Sequence, residues 1–264
     1  MQIIGSIALF IIFGPFTTVA MAESKSSLSD EVILTADNWC PYTCTDTNAH
    51  KGLLVEVVSA AFNEVGLTTK YEYRVSWIRA VQNVKFGLAD VLLAADEEDT
   101  NDVKLVTNFY FYDETIFAVL KNHSILLNEA KDLFNYKIGV LEDYGYDNGG
   151  RWEDYIEHHP DSIKISTSQG EPHLLNLLVR NRIEIAIMNW DVAKNAILNN
   201  PKFANVEIIR KNALSKLTIG FTHSKRGEHF RKMFIKGFSQ LVKTNKLKEI
   251  YNKYNVVLPN FSNK

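Results

Sequence analysis

Short apolar runs of strand length alternate with amphipathic stretches of helical period from residue 32 to residue 254, and few architectures accommodate that alternation. Val32-Ile33-Leu34-Thr35-Ala36 reads as a buried strand. Residues 52–65 follow as a helix, with Leu53, Leu54, Val57, Val58, Ala61, Phe62 and Val65 on one face and Gly66 at the position of a C-cap. Tyr71, Tyr73 and Val75 alternate with charged neighbours, as in a half-exposed strand, and Ser76 reads as the N-cap of a helix reaching Gly87. Residues 90–95 form a short apolar strand. Further strands are expected at 115–120, 137–141, 163–167, 183–188, 206–209 and 217–222. Helices are expected at 129–134, from Arg151, at 173–180 behind Pro172, and at 191–198, and residues 227–254 close the chain as two helices. This order predicts an α/β protein with parallel sheets, whose ligands sit on the loops leaving the strand ends. The loops of interest are 37–50, 76–79, 94–102 and 142–150.

Residues 1–22 stand apart. They hold no Lys, Arg, Asp or Glu; the apolar run from Ile7 to Phe13 is broken by Gly14-Pro15, and Ala20-Met21-Ala22 has the small-x-small form of a signal-peptidase site. The run is shorter than the roughly 20 apolar residues that span a bilayer. A cleaved signal peptide over 1–22 is expected, and with it a periplasmic location. An uncleaved N-terminal anchor is the alternative, because no basic residue precedes the apolar core. Residues 23–30 read as a flexible tether. All 29 Lys and Arg and all 31 Asp and Glu lie beyond the leader, so the remainder is near neutral and nothing points to nucleic acid or to an anionic membrane surface. Cys40 and Cys44 are the two cysteines of the sequence. Outside the cytoplasm so close a pair favours a structural disulfide clamping the turn at Pro41, with two buried free thiols as the alternative. Two thiolates without a nearby His make a poor zinc site, and the seven His show no ligand spacing, so no metal is expected.

Trp39 and Tyr42 follow the first strand, and Trp77 and Arg79 stand in the first turn of the second helix. An Arg at a helix N-terminus is disfavoured by a few tenths to about 1 kcal/mol unless it serves an anion there. Arg79 is therefore read either as a bidentate anion clamp or as a surface Arg paired with a neighbouring acid. Trp39, Tyr42, Trp77, Tyr110, Tyr112, Tyr144 and Tyr146 concentrate in the loops of interest. Singly each suits packing; as a set they suggest a pocket with aromatic walls. The run Asp96-Glu97-Glu98-Asp99 suits a solvated loop or a cation. No nucleophile elbow, phosphate loop, dinucleotide fingerprint or His-Glu-x-x-His motif occurs, and no cofactor is expected.

Taken in order, several of these pieces resemble the bacterial periplasmic solute-binding proteins of family 3, receptors of polar amino-acid ABC transporters. The pieces are Asp37-Asn38-Trp39-Cys40-Pro41-Tyr42, Gly52-Leu53-Leu54-Val55-Glu56, Trp77-Ile78-Arg79-Ala80, Gly87-Leu88-Ala89-Asp90, Asp132-Leu133 before Lys137-Ile138-Gly139-Val140, and Arg182-Ile183-Glu184-Ile185-Ala186. The resemblance implies a two-lobed, type II Venus-flytrap fold with two hinge crossings. Residues 31–118 and 213–264 would form lobe one and residues 119–212 lobe two. It also implies a monomer that hands a small-molecule ligand to an ABC permease or a sensor. Two departures are visible. Where the family carries Thr-x-x-Arg to grip an α-carboxylate, this chain has Thr100-Asn101-Asp102-Val103, and the second-lobe Asp is replaced by Asn189, with Asp191 close by. The expected ligand is a small polar or anionic, amino-acid-like molecule, and the expected ligand set is Trp39, Tyr42, Trp77, Arg79, Ala94, Asp96, Tyr110, Tyr144, Tyr146 and Asn189. A dehydratase of the same family, acting on cyclohexadienyl acids, is the enzymatic alternative, with Asp96, Glu142, Asp143 and Asp191 available as general acids. A module that has lost its ligand is the third reading.

Overall fold

The computed structural model describes residues 31–45, 50–74, 76–96, 101–142, 144–147, 149–166, 168 and 170–261. The expected signal peptide and tether, Val75, Glu97-Glu98-Asp99-Thr100 and Asp143 lie outside the described residues. Among the described residues no helix is long and apolar enough to cross a membrane.

In chain order the elements are β1 (Glu31–Ala36), α1 (Leu53–Asn63), β2 (Thr68–Tyr73), α2 (Trp77–Lys85), β3 (Val91–Ala95), β4 (Lys104–Leu105) and β5 (Phe111–Leu120). They continue with β6 (Ile138–Leu141), α3 (Arg151–Glu157), β7 (Ser162–Ile165), α4 (Pro172–Val179), β8 (Ile185–Asn189), α5 (Trp190–Asn199), β9 (Val206–Phe221), α6 (Lys225–Leu241) and α7 (Lys246–Lys253). The strands run in the spatial order β2-β1-β3-β9-β5-β8-β6-β7, with β4 on β9. β1 pairs in parallel with β2 and β3, and β6 pairs in parallel with β7 and β8, as strand–helix alternation predicts. The two parallel groups form the cores of two lobes, joined through a long antiparallel ladder of β5 on β9.

That ladder differs from the sequence reading. The expected strands at 206–209 and 217–222 are one strand of 16 residues, and β5 begins four residues before the expected Thr115. The stretch Arg210-Lys211-Asn212 looks like a loop because a strand bridging two lobes is bound on one side only and leaves polar side chains in water. β5 reaches β8 only from Thr115 onward, and β9 reaches β3 only from Thr218 onward. Residues 111–114 and 214–217 therefore pair chiefly with one another. The expected helix at 129–134 is a 3₁₀ turn, Ala130–Asn135, held by a reciprocal capping box between Glu129 and Asp132. β4 escaped the sequence reading because two residues carry no period.

The lobe holding β1 closes on an aromatic core. Phe62 of α1, Phe109, Phe221 of β9, and Phe230, Phe234 and Phe238 of α6 are fully buried, with ring centroids 5.0–6.5 Å apart. Burying each ring contributes about 1.5–3 kcal/mol, and each well-placed pair adds roughly 0.5–1.5 kcal/mol. α1 and α6 approach so closely that a Cβ on Gly237 would lie 1.9 Å from the carbonyl oxygen of Ala61, which explains a glycine on the buried face of α6. The start of α6 is tied to the sheet by an ion pair: Arg226 Nε and Nη2 donate to Asp90 at 2.7 and 3.1 Å, and the same carboxylate accepts from the backbone N of Ile33 at 2.9 Å. The second lobe packs Trp152 against Phe117, with centroids 4.7 Å apart, beneath Val140, Ile185 and Ile187.

Candidate functional site

The carboxyl ends of β1, β3, β6 and β8 converge on one cleft between the lobes, where open α/β sheets place their ligands. Its cavity is small, ≈ 60 Å³, and is lined by Asp37, Asn38, Trp39, Trp77, Ala94, Asp96, Asp113, Leu141, Tyr144, Gly145, Glu153, Ser215 and Leu217. A water needs roughly 10–15 Å³, so the space holds a few waters. Among the described residues of the lining there is no Lys, Arg or His, whereas four are carboxylic acids.

The first wall is the loop after β1. A disulfide joins Cys40 and Cys44, with Cα atoms 4.5 Å apart, and Trp39 pairs with Thr43 across the turn. The clamped turn packs on the start of α1: the backbone N–H groups of Leu53 and Leu54 donate to Pro41 O at 2.8 Å and Tyr42 O at 2.9 Å. Two otherwise orphaned helix donors are thus satisfied by the loop itself. Gly52 makes the fit possible, since it holds φ 114° and a Cβ there would lie 2.3 Å from Tyr42 O. Above this seat Trp39 and Tyr42 stack at 4.4 Å, with Phe111 6.1 Å and Tyr144 6.3 Å from Trp39.

The second wall comes from β3. Ala94 takes the left-handed region at φ 64°, inside an irregularity of the β3–β9 register between Leu93 and Ala95. Such bulges re-aim a strand end beside a site. Asp96, after β3, and Trp77, in the first turn of α2, also line the cleft.

The floor carries a chain of buried polar groups. Asp113 on β5 accepts from Asn189 Nδ2 at 2.5 Å and from the hydroxyl of Tyr144 at 2.9 Å. Asn189 caps α5 through Val192 N at 2.9 Å, and its own backbone N donates to Glu171 Oε2 at 3.0 Å. Glu171 also accepts from Trp39 Nε1 at 3.2 Å, and Tyr42 OH donates to Asp191 at 2.7 Å. Burial dominates the acidity of these groups. It pushes Glu171 up to about 8, helped by the nearby charge of Asp113 and opposed by the Asn189 and Trp39 N–H groups. It raises Asp113 to about 6 against the hydrogen bonds from Asn189 and Tyr144, and Asp37 to about 7. Asp191 is raised as well, burial again outweighing the Tyr42 hydrogen bond.

Of the expected ligand set, Trp39, Trp77, Ala94, Asp96 and Tyr144 line the cleft. Tyr42 and Asn189 lie directly beneath it in the buried network. Tyr146 is buried behind Tyr144, where its hydroxyl oxygen accepts from Leu141 N at 2.7 Å. Tyr110 lies outside this lining, its ring against Phe261 and its hydroxyl on Asn260 O. Arg79 is exposed on α2 and is not part of the lining. Asp37, Asp113, Glu171, Ser215 and Glu153 also belong to the site or its floor and lie outside the expected ligand set. A signal existed for two of them: Asp113-Glu114 is a charged pair next to an apolar strand run, and Glu171 directly precedes the Pro of α4.

Residues 32–257 match the bacterial extracellular solute-binding proteins, family 3. No curated protein matches the chain in sequence. Among solved structures, the chain is similar to a histidine kinase sensor domain with similarity to periplasmic binding proteins, at 17% identity over 87% of this chain and 98% of that one, TM-score 0.70. It is similar to an ancestral arginine-binding protein bound to arginine, at 15% identity over 85% and 98%, TM-score 0.70. It also resembles the arginine-, lysine-, histidine-binding protein ArtJ of Geobacillus stearothermophilus, at 16% identity over 87% and 96%, TM-score 0.68.

Proposed function

The chain belongs to the bacterial extracellular solute-binding proteins of family 3, and from that premise we propose that it captures a small organic cation, amino-acid-like in size, between its lobes. The observation that carries the proposal is the lining: Asp37, Asp96, Asp113 and Glu153 stand among Trp39, Trp77 and Tyr144, and the described residues that line the cleft with them include no Lys, Arg or His. Carboxylates attract an ammonium or guanidinium group, and aromatic faces add cation–π attraction worth about 0.5–2 kcal/mol. The basic amino acids named for the similar solved structures are in keeping with this chemistry. An α-carboxylate would lack its usual partner, because Val103, in the place of the family's Arg, is buried in a cluster with Ala80 and Val84. Amines and guanidines without a carboxylate are therefore equally good candidates.

The hinge of this reading falls where β5 and β9 bind only one another, at residues 111–114 and 214–217. Residues 1–22 serve as its export signal, and the receptor acts as a monomer that presents its solute to an inner-membrane ABC permease or to a sensor. A second reading, a dehydratase acting on cyclohexadienyl acids, draws on one observation: burial raises Asp37 at the cleft to about 7, in the range where a general acid works.

Thermal-shift measurements with arginine, lysine, putrescine, glutamate and prephenate separate these readings. A cation at a hundredfold excess over its Kd is expected to stabilise the protein by about 2.7 kcal/mol, a rise of several degrees. Asp37→Asn should remove most of that rise. Stabilisation by glutamate alone would overturn the cation reading, and turnover of prephenate would establish the enzyme.

A further inference from the structure

We infer that protons are an effector of this cleft: the lobes are latched to one another by hydrogen bonds from the disulfide-bound loop onto carboxyl groups of the second lobe, one of them fully buried, so that proton uptake closes the cleft and proton loss opens it. The inference does not depend on which solute the cleft takes.

The latch is direct contact between lobes. Trp39 and Tyr42 lie on the loop after β1, in the first lobe. Their acceptors, Glu171 and Asp191, lie at the N-terminal ends of α4 and α5, in the second, with donor–acceptor distances of 3.2 and 2.7 Å. Glu171 is 1% exposed and Asp113 2% exposed, and Trp39 and Tyr42 are 5% and 1% exposed. Opening the cleft would return all four to water. Closure therefore removes two carboxyl groups from solvent, a step that is costly for carboxylates and cheap for carboxylic acids.

Few charges oppose that cost. The groups facing Glu171 are the acids Asp113 and Asp37, the phenols Tyr144 and Tyr146, the Trp39 indole N–H and the Asn189 backbone N–H. Those facing Asp113 are Asp191, Glu114, Asn189, Tyr42 and Tyr144. Asp191 faces Tyr42, Lys194, Glu114 and Arg210, and the Arg210 guanidinium is engaged by both Glu114 oxygens. Cations thus meet the periphery of the network at Asp191, while its centre is surrounded by acids.

The sign follows from burial. In the closed cleft Glu171 holds its proton up to about 8 and Asp113 up to about 6. In an open cleft both return toward the ordinary carboxylate range near 4. The closed state binds the extra protons, so closure is fully favoured below the open-state values. It is weakened as pH rises, up to tenfold per pH unit for each proton lost, until pH passes the closed-state values.

Small-angle scattering and Trp fluorescence of solute-stripped protein, recorded across about pH 5 to pH 9, test the latch. The expected result is a compact form at low pH and a larger radius of gyration at high pH. Asp113→Asn keeps both hydrogen bonds, because the amide oxygen can accept from Asn189 and the amide nitrogen can donate to Tyr144. It removes a charge facing Glu171, so opening should move to higher pH and become shallower. Tyr42→Phe deletes one interlobe bond and should enlarge the open fraction at every pH. A radius of gyration constant from low to high pH in the native protein would overturn the inference. An Asp113→Asn curve superimposed on the native one would do the same, with circular dichroism confirming that the variant is folded. Should that variant fail to fold, the native and Tyr42→Phe curves decide.

Discussion

Trp39→Ala should cost about 3–5 kcal/mol of stability, the range for removing a buried large aromatic, and should abolish solute capture as well. Trp39 is 5% exposed and touches Tyr42, Phe111 and Tyr144 while its indole N–H holds Glu171 across the cleft. Truncation leaves a cavity at the junction of three elements and strips Glu171 of one of its two donors. Urea denaturation measures the first effect and thermal shift with a bound cation the second. Trp39→Phe keeps much of the ring stack but loses the N–H, so it should retain most of the stability while weakening closure. A Trp39→Ala protein within about 1 kcal/mol of the native one would mean that the wall is not part of the folded core.

Arg226→Ala is expected to be comparably damaging for a different reason. Asp90 is 4% exposed, and its oxygens face Arg226 and the Ile33 N–H. Removing the guanidinium abandons a carboxylate in the interior, which typically costs about 3–5 kcal/mol. It also frees the Glu31 carbonyl oxygen, which Arg226 Nη2 binds at 2.8 Å, and uncovers the Phe230 ring, 4.5 Å from the guanidinium carbon. The double variant Asp90→Asn with Arg226→Ala should recover part of the loss, because the stranded charge is then gone. A double variant no more stable than Arg226→Ala would show that packing on Phe230, rather than the charge, carries the effect.

The contrast between these two residues shows what a sequence can reveal. Trp39 was legible because it follows a strand, in a loop marked by two cysteines and a proline, and loops at strand ends are where such folds keep their sites. The α/β class was legible for a related reason: buried strands and amphipathic helices write their periods into consecutive residues. The Arg226–Asp90 pair was not legible, because its partners are separated by 136 positions and nothing local links Asp90 to the start of the last long helix. The same applies to the floor of the cleft. Asp113, Glu171 and Asp191 come from β5, the turn before α4 and the start of α5, and only the closing of one lobe on the other brings them to Trp39 and Tyr42. Arg79 was singled out by a local rule, the unfavourable sign of its charge at a helix start, and that rule carries no information about which way the side chain faces. Asn212, with φ 55° in the middle of β9, shows the converse case. A polar residue in a left-handed conformation looks like a loop, yet here it lies within a strand whose register with β5 shifts at that point.

An acidic, aromatic-walled cleft between two lobes is suited to a small organic cation. Native mass spectrometry of the protein purified without denaturation tests it most directly, by identifying the solute that travels with it. The expected result is an adduct carrying an amine or guanidine, present on the native protein and absent from Asp37→Asn. A co-purifying carboxylic or phosphoric acid with no cationic group would contradict it.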